Sequence, residues 1–197
     1  MGAWGARRIA LTLAAVDALG VVGLILLGVL GDPFGILNDA AKAAVGALSA
    51  ALAWAVFAGR GPGRSAGQLA PGLGASVIGG GIMILGSLLV MLEVSGWYFA
   101  ALVYSVGAAF IGGWLVVVNN RPTGFGELSA GALRLGRLAG IVMLAGVLAV
   151  PGLFNRIDDW EPPPWYLSCS QVSWIGTYLL YPIWCLLLAR SLGPAEP

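Results

Sequence analysis

Apolar residues in this chain neither alternate nor recur on a single face; they come in long runs separated by short polar breaks. Residues 9–30, 40–59, 73–93, 97–118, 135–154 and 171–190 each approach the ~20 mostly apolar residues that carry a helix across a ~30 Å hydrocarbon core. The breaks are chemically plain. Asp32 and Pro33 end the first run, Arg60 to Arg64 the second, Glu93 to Gly96 the third, Asn119 to Pro122 the fourth, and Asn155 with Arg156 the fifth. The pattern predicts an all-α fold, a polytopic membrane bundle of six transmembrane helices forming one domain, 1–197, with an outer loop at 155–171.

Composition strengthens this reading and narrows the function classes. Hydrophobic residues make up 59% of the chain and charged residues 10%, against ~25% charged in ordinary globular domains, and mean hydropathy is +0.91. A net charge of +1 without Lys/Arg clusters excludes nucleic acid as a partner, since phosphate backbones are held by clustered cations. Histidine is absent and the only cysteines are Cys169 and Cys185, so the usual ligands for haem, zinc or iron–sulfur groups are missing and no cofactor is expected. The two cysteines would lie about 24 Å apart on one helix, beyond disulfide reach.

Charge fixes the expected orientation. Short cytoplasmic loops are enriched in Lys and Arg. With the N-terminus inside, Arg7, Arg8, Arg60, Arg64, Arg121, Arg134, Arg137 and Arg190, eight of the ten basic residues, fall on the cytoplasmic side, leaving Lys42 and Arg156 outside. The acids Asp32, Asp39, Glu93, Asp158, Asp159 and Glu161 fall outside. The expected arrangement is N-in and C-in. The first run is too long, and lacks a small-x-small cleavage site, for a secretory signal, so it is read as a retained helix.

Small residues set the expected packing. Ala43, Ala47, Ala51, Ala55 and Gly59 recur every fourth residue, and Ala75/Gly79, Ala108/Gly112, Ala109/Gly113 and Gly136/Gly140 are further pairs that permit close helix approach. Such faces suit a neighbour within the chain, a second copy or another membrane protein equally. The glycine-rich third run (Gly72, Gly74, Gly79, Gly80, Gly81, Gly86) allows either close packing or a broken helix of the transporter type. Trp97, Tyr98 and Phe99 are expected to anchor at the outer headgroup level, Asn38 or Asp39 to cap the second helix, and Pro162 to Pro164 to stiffen an aromatic outer lid.

The candidate chemistry centres on Asp17, about 13 Å along a helix from Arg8. An acid at that depth costs ~2.5–3.5 kcal/mol on insertion scales and should face the bundle interior. Its alternatives are a proton or cation site and a hydrogen-bonded acid that fixes helix register. Depth matching across helices nominates Tyr181 and Trp54 as first partners, with Tyr178, Tyr104, Thr177, Ser105 and Ser87 lining a more external polar pocket. Pro182 frees a carbonyl beside Tyr181. Catalytic constellations and phosphate-binding loops are missing. The expectation is a non-enzymatic membrane protein with a structural or accessory role; the alternative is a small-solute or proton-coupled carrier using Asp17 with Tyr181.

The turn Asp32-Pro33-Phe34-Gly35 with Asn38 and Asp39, followed by the Ala-rich helix through Ser49 and Trp54, resembles small six-helix integral membrane proteins of GC-rich bacteria over about residues 1–60. The resemblance implies a multi-pass protein of the bacterial inner membrane with the lipid bilayer as its partner, and it assigns no activity.

Overall fold

The computed structural model describes residues 3–31, 34–59, 66–120, 128–158 and 163–193. Six helices are long and apolar enough to cross a membrane: α1 (Ala3–Leu30), α2 (Phe34–Ala58), α3 (Ala66–Met91), α4 (Trp97–Asn120), α5 (Ala130–Phe154) and α6 (Trp165–Ser191). No strand occurs among the described residues. Most helices extend beyond their apolar runs, because hydropathy marks the lipid-soluble stretch whereas hydrogen bonding continues into the interface. This matters most for α2. It begins at Phe34 rather than near residue 40, so Asn38, Asp39 and Lys42 lie in its first turns and are buried, instead of forming a solvated cap. The breaks at Asp32-Pro33, Arg60 to Arg64 and Arg121, and Asp159 to Pro162 of the outer loop, lie outside the described residues.

Each of α1 to α5 packs on the next, and α6 closes the bundle against α1 and α5. The most enclosed helix is α4, with 78% of its spanning window buried. Three successive interfaces are made by reciprocal glycine crossings: Gly46 of α2 with Gly80 of α3, Gly79 of α3 with Gly107 of α4, and Gly112 of α4 with Gly140 of α5. In each, a Cβ added to one glycine would meet the carbonyl oxygen of the other, at 2.7 Å for Gly46 and 2.6 Å for Gly79, Gly112 and Gly140. Backbones that close allow dispersion contact along the whole crossing, the main source of attraction between helices in lipid. Of the expected small-residue pairs, Gly79, Gly112, Gly136 and Gly140 lie in contacts. The Ala43–Gly59 ridge does not form the buried face of α2: Ala55 is buried but Ala47 is exposed, and Val45, Gly46, Ser49 and Leu52 face inward.

Helix breaks fall in α5 and α6, not in the glycine-rich α3, which runs through Pro71 and its glycines without interruption. In α5 a 3-10 turn, Ala145–Ala149, precedes Pro151. In α6 a π-helical turn, Gly176–Leu180, precedes Pro182, and the Tyr181 N–H donates to Gly176 O, five residues back. Prolines and π-turns are recognised sources of helix bending, and π-turns often sit at functional positions.

The α3–α4 turn is clamped from a distance. Asp158 accepts from Gly96 N at 2.7 Å and Phe99 N at 3.0 Å, occupying free donors at the start of α4. One member of the acidic cluster Asp158, Asp159 and Glu161 is therefore a tertiary cap. Tyr98 lies in a buried cluster with Leu102, Val106, Ala149 and Leu167. Residues 165–170, expected as loop, form the first turns of α6.

Candidate functional site

Asp17 sits about 20 Å from either end of α1 and is 1% exposed. Its position follows from a close α1–α2 crossing: a Cβ on Gly20 would lie 3.0 Å from Ala41 Cβ, and one on Gly23 would lie 3.1 Å from Asn38 N. These contacts place Asp17 about one turn deeper than Ala41 and nearly two turns deeper than the Asn38 backbone. Its Oδ2 has no hydrogen-bond partner among the described residues. That is unusual, since the large majority of buried side-chain polar atoms are paired.

Above it, toward the end of the bundle that carries the α1–α2 and α3–α4 turns (the hairpin end), lies a charged cluster that depth matching did not find. Lys42 Nζ donates to Asp39 Oδ1 at 3.1 Å and lies 5.1 Å from the centre of the Tyr104 ring, a cation–π arrangement. The neighbours of Asn38 orient its amide. An ammonium needs an acceptor and a carbonyl needs a donor, so Oδ1 accepts from Lys42 Nζ at 2.9 Å while Nδ2 donates to Gly20 O at 3.2 Å and to Tyr178 Oη at 3.0 Å. Tyr178 stacks on Tyr104 with ring centres 6.3 Å apart. The Tyr104 hydroxyl, near Thr177, makes no well-formed hydrogen bond among the described residues. Asp17 is within electrostatic reach of Tyr104, Tyr178 and Tyr181.

Toward the opposite end the column is closed. Tyr181 Oη donates to Ser49 Oγ at 2.9 Å, Ser49 Oγ donates to Val45 O, and Ser76 Oγ donates to Ser49 O. Next, Trp184 stacks on Tyr181, meets Trp114 edge-on and donates from Nε1 to Asn119 Oδ1 at 3.0 Å. Arg137 Nε in turn donates to Asn119 O at 3.0 Å. An indole N–H is a donor only, so Trp184 cannot pass on a proton, and the Trp114–Trp184 pair seals the bundle below Tyr181.

Two cavities open the other way. A chamber of about 10 Å³, room for one water-sized group, is lined by Asp39, Lys42, Ser87 and Tyr104 among others. Ser87 Oγ is buried there without a hydrogen-bond partner among the described residues. Beyond it lies a vestibule of about 450 Å³ bordered by Asn38, Asp39 and Glu93 with Leu27, Ile36 and Met91.

Four of the five residues nominated from sequence, Asp17, Tyr104, Tyr178 and Tyr181, therefore share one buried column. Trp54 does not: it is 54% exposed on the outer face of α2, beside Phe57. The reason is geometric. Depth along a helix is readable from residue count, but the inward side of α2 is the one that carries Asn38, Lys42, Gly46 and Ser49, and Trp54 lies off it. Thr177 and Ser105 bond to carbonyls of their own helices, and Ser105 also accepts from Trp174 Nε1 at 3.0 Å. Missed from sequence were Asn38, Asp39 and Lys42, although an acid and a base at i and i+3 beside a long apolar run were a visible signal. Among the described residues no group of acids and cysteines is placed to hold a metal ion. No family model, curated protein or solved structure matches the chain.

Proposed function

We propose that this protein is a small-solute carrier of the bacterial inner membrane, N-in and C-in, in which Asp17 exchanges a proton reached from the hairpin end. The observation that carries the reading is the unpartnered Asp17 Oδ2 at midspan, 1% exposed. An acid retained to fix helix register would use its acceptors on neighbouring helices, as Ser49 and Asn119 do. A carboxylate kept at that depth with an acceptor unused fits an exchangeable site, the default role of an intramembrane acid. The polar column above it, the aromatic pair below it and the π turn of the adjacent α6 support this reading. Orientation rests on the arginine asymmetry of the loops.

Proton flux into proteoliposomes loaded with hexylammonium, under an imposed pH gradient, tests this. The wild-type chain is expected to exceed empty liposomes, and Asp17→Asn, which keeps shape and removes the exchangeable proton, to lower the flux about tenfold, roughly 1.4 kcal/mol on the barrier, at an unchanged unfolding midpoint. Wild-type flux equal to that of empty liposomes, or an Asp17→Asn chain that conducts normally, would return the protein to a structural or accessory role.

A further inference from the structure

The chamber and the vestibule adjoin, with Asp39, Val90 and Trp97 bordering both. At about 450 Å³ the vestibule is within the ~300–1,000 Å³ of small-molecule sites. Its walls are largely apolar (Leu27, Ile36, Val90 and Met91), and the charged groups that line it are the carboxylates Asp39 and Glu93. Lys42 does not reverse that sign. Its ammonium is held by Asp39 and Asn38 over the Tyr104 ring, on the chamber side.

Among the described residues that line the two cavities, the Asp39–Lys42 pair is neutral and Glu93 is the excess. A monocation entering from the hairpin end neutralises that charge, whereas an anion would add a second negative charge beside it. Glu93 holds a left-handed backbone conformation, φ 54°, at the end of α3, where glycine or asparagine is the usual occupant. The result is a carboxylate at the vestibule wall. Deeper in, the unpartnered Ser87 Oγ, 2% exposed, supplies an acceptor that no protein group uses among the described residues.

We propose that this site binds a small organic cation, a protonated amine on a short apolar body, with the body against Leu27, Ile36 and Met91 and the ammonium toward Glu93 and Asp39 at the vestibule wall, reaching Ser87 through one water in the chamber. The inference deepens the carrier reading and rests on it, the amine being the solute exchanged against the Asp17 proton.

Calorimetric titration of the full chain in phosphatidylcholine nanodiscs, with empty nanodiscs subtracted, tests the site without any flux. Hexylammonium is expected to bind saturably and hexanoate not to bind. Glu93→Gln, a change at an exposed side chain, should weaken hexylammonium roughly tenfold, the effect of one charge-assisted contact, and Ser87→Ala about threefold to tenfold. Hexanoate binding as tightly as hexylammonium, no saturable hexylammonium binding, or Glu93→Gln binding at wild-type strength would each overturn the proposal. Saturable amine binding in a chain whose proton flux ignores Asp17 would sink the carrier reading and leave the cation site standing. Asp17-dependent flux without amine binding would do the reverse.

Discussion

Replacing Lys42 with methionine is expected to destabilise the bundle by about 3–5 kcal/mol, the usual effect of removing one partner from a buried ion pair. Lys42 and Asp39 are 8% and 4% exposed, and Lys42 Nζ is the cation within 3.1 Å of the Asp39 carboxylate. Without the ammonium, Asp39 Oδ1 and Asn38 Oδ1 lose a donor together, and the Tyr104 ring loses the cation above it. The change would be read as a lower midpoint in unfolding of the detergent-solubilised chain. Adding Asp39→Asn to Lys42→Met should recover most of the loss, because deleting both charges of a buried pair is often close to neutral. A Lys42→Met chain as stable as wild type would mean that the pair is hydrated rather than buried.

Gly46→Leu is the second large effect. A Cβ at residue 46 would lie 2.7 Å from Gly80 O and 3.1 Å from Met83 Cβ, and Gly80 O, a backbone atom, cannot turn aside. The two helices must separate, and overpacking of this kind costs typically 1–3 kcal/mol, occasionally more; about 3 kcal/mol is expected here because the reciprocal contact at Gly80 is lost as well. Position 46 is one turn from Lys42, so separation also spoils the chamber and amine binding falls with stability. Gly81→Leu is the control: a Cβ at residue 81 would enter open space, and this chain should fold normally. Equal damage from both would show that glycine content, and not the crossing, is what matters.

Which parts of this were legible in the sequence follows from what each pattern measures. Six apolar runs gave six helices because the cost of unpaired backbone in lipid leaves no other arrangement for such segments. Asp17 was legible because one acid in an apolar run must have a destination. Asn38, Asp39 and Lys42 were not, since Asn38 and Asp39 read as caps of a helix starting near residue 40 and Lys42 as its outer end until the start of α2 is seen to lie at Phe34. The role of Trp54 was misplaced for a related reason: depth alone was matched, and the side of α2 that meets its neighbours is the one carrying Asn38, Lys42 and Ser49. Gly46, on that same side, falls outside the four-residue ridge that the sequence makes prominent. The prolines at 151 and 182 marked the bends in α5 and α6, but the 3-10 and π turns beside them depend on packing against α4 and on each other.

Both proposals depend on a buried polar site that, in this conformation, opens toward the hairpin end. Cysteine accessibility at Ser87 tests this most directly, in a chain where the exposed Cys169 is replaced by Ser and the buried Cys185 is kept. A cationic, membrane-impermeant methanethiosulfonate is applied to each side of the membrane in turn, with Ser95→Cys in the α3–α4 turn marking the hairpin side. Ser87→Cys is predicted to react from the side on which Ser95→Cys reacts, more slowly, and to be protected by hexylammonium. A Ser87→Cys chain that reacts only from the opposite side, or from neither, would rule out entry from the hairpin end.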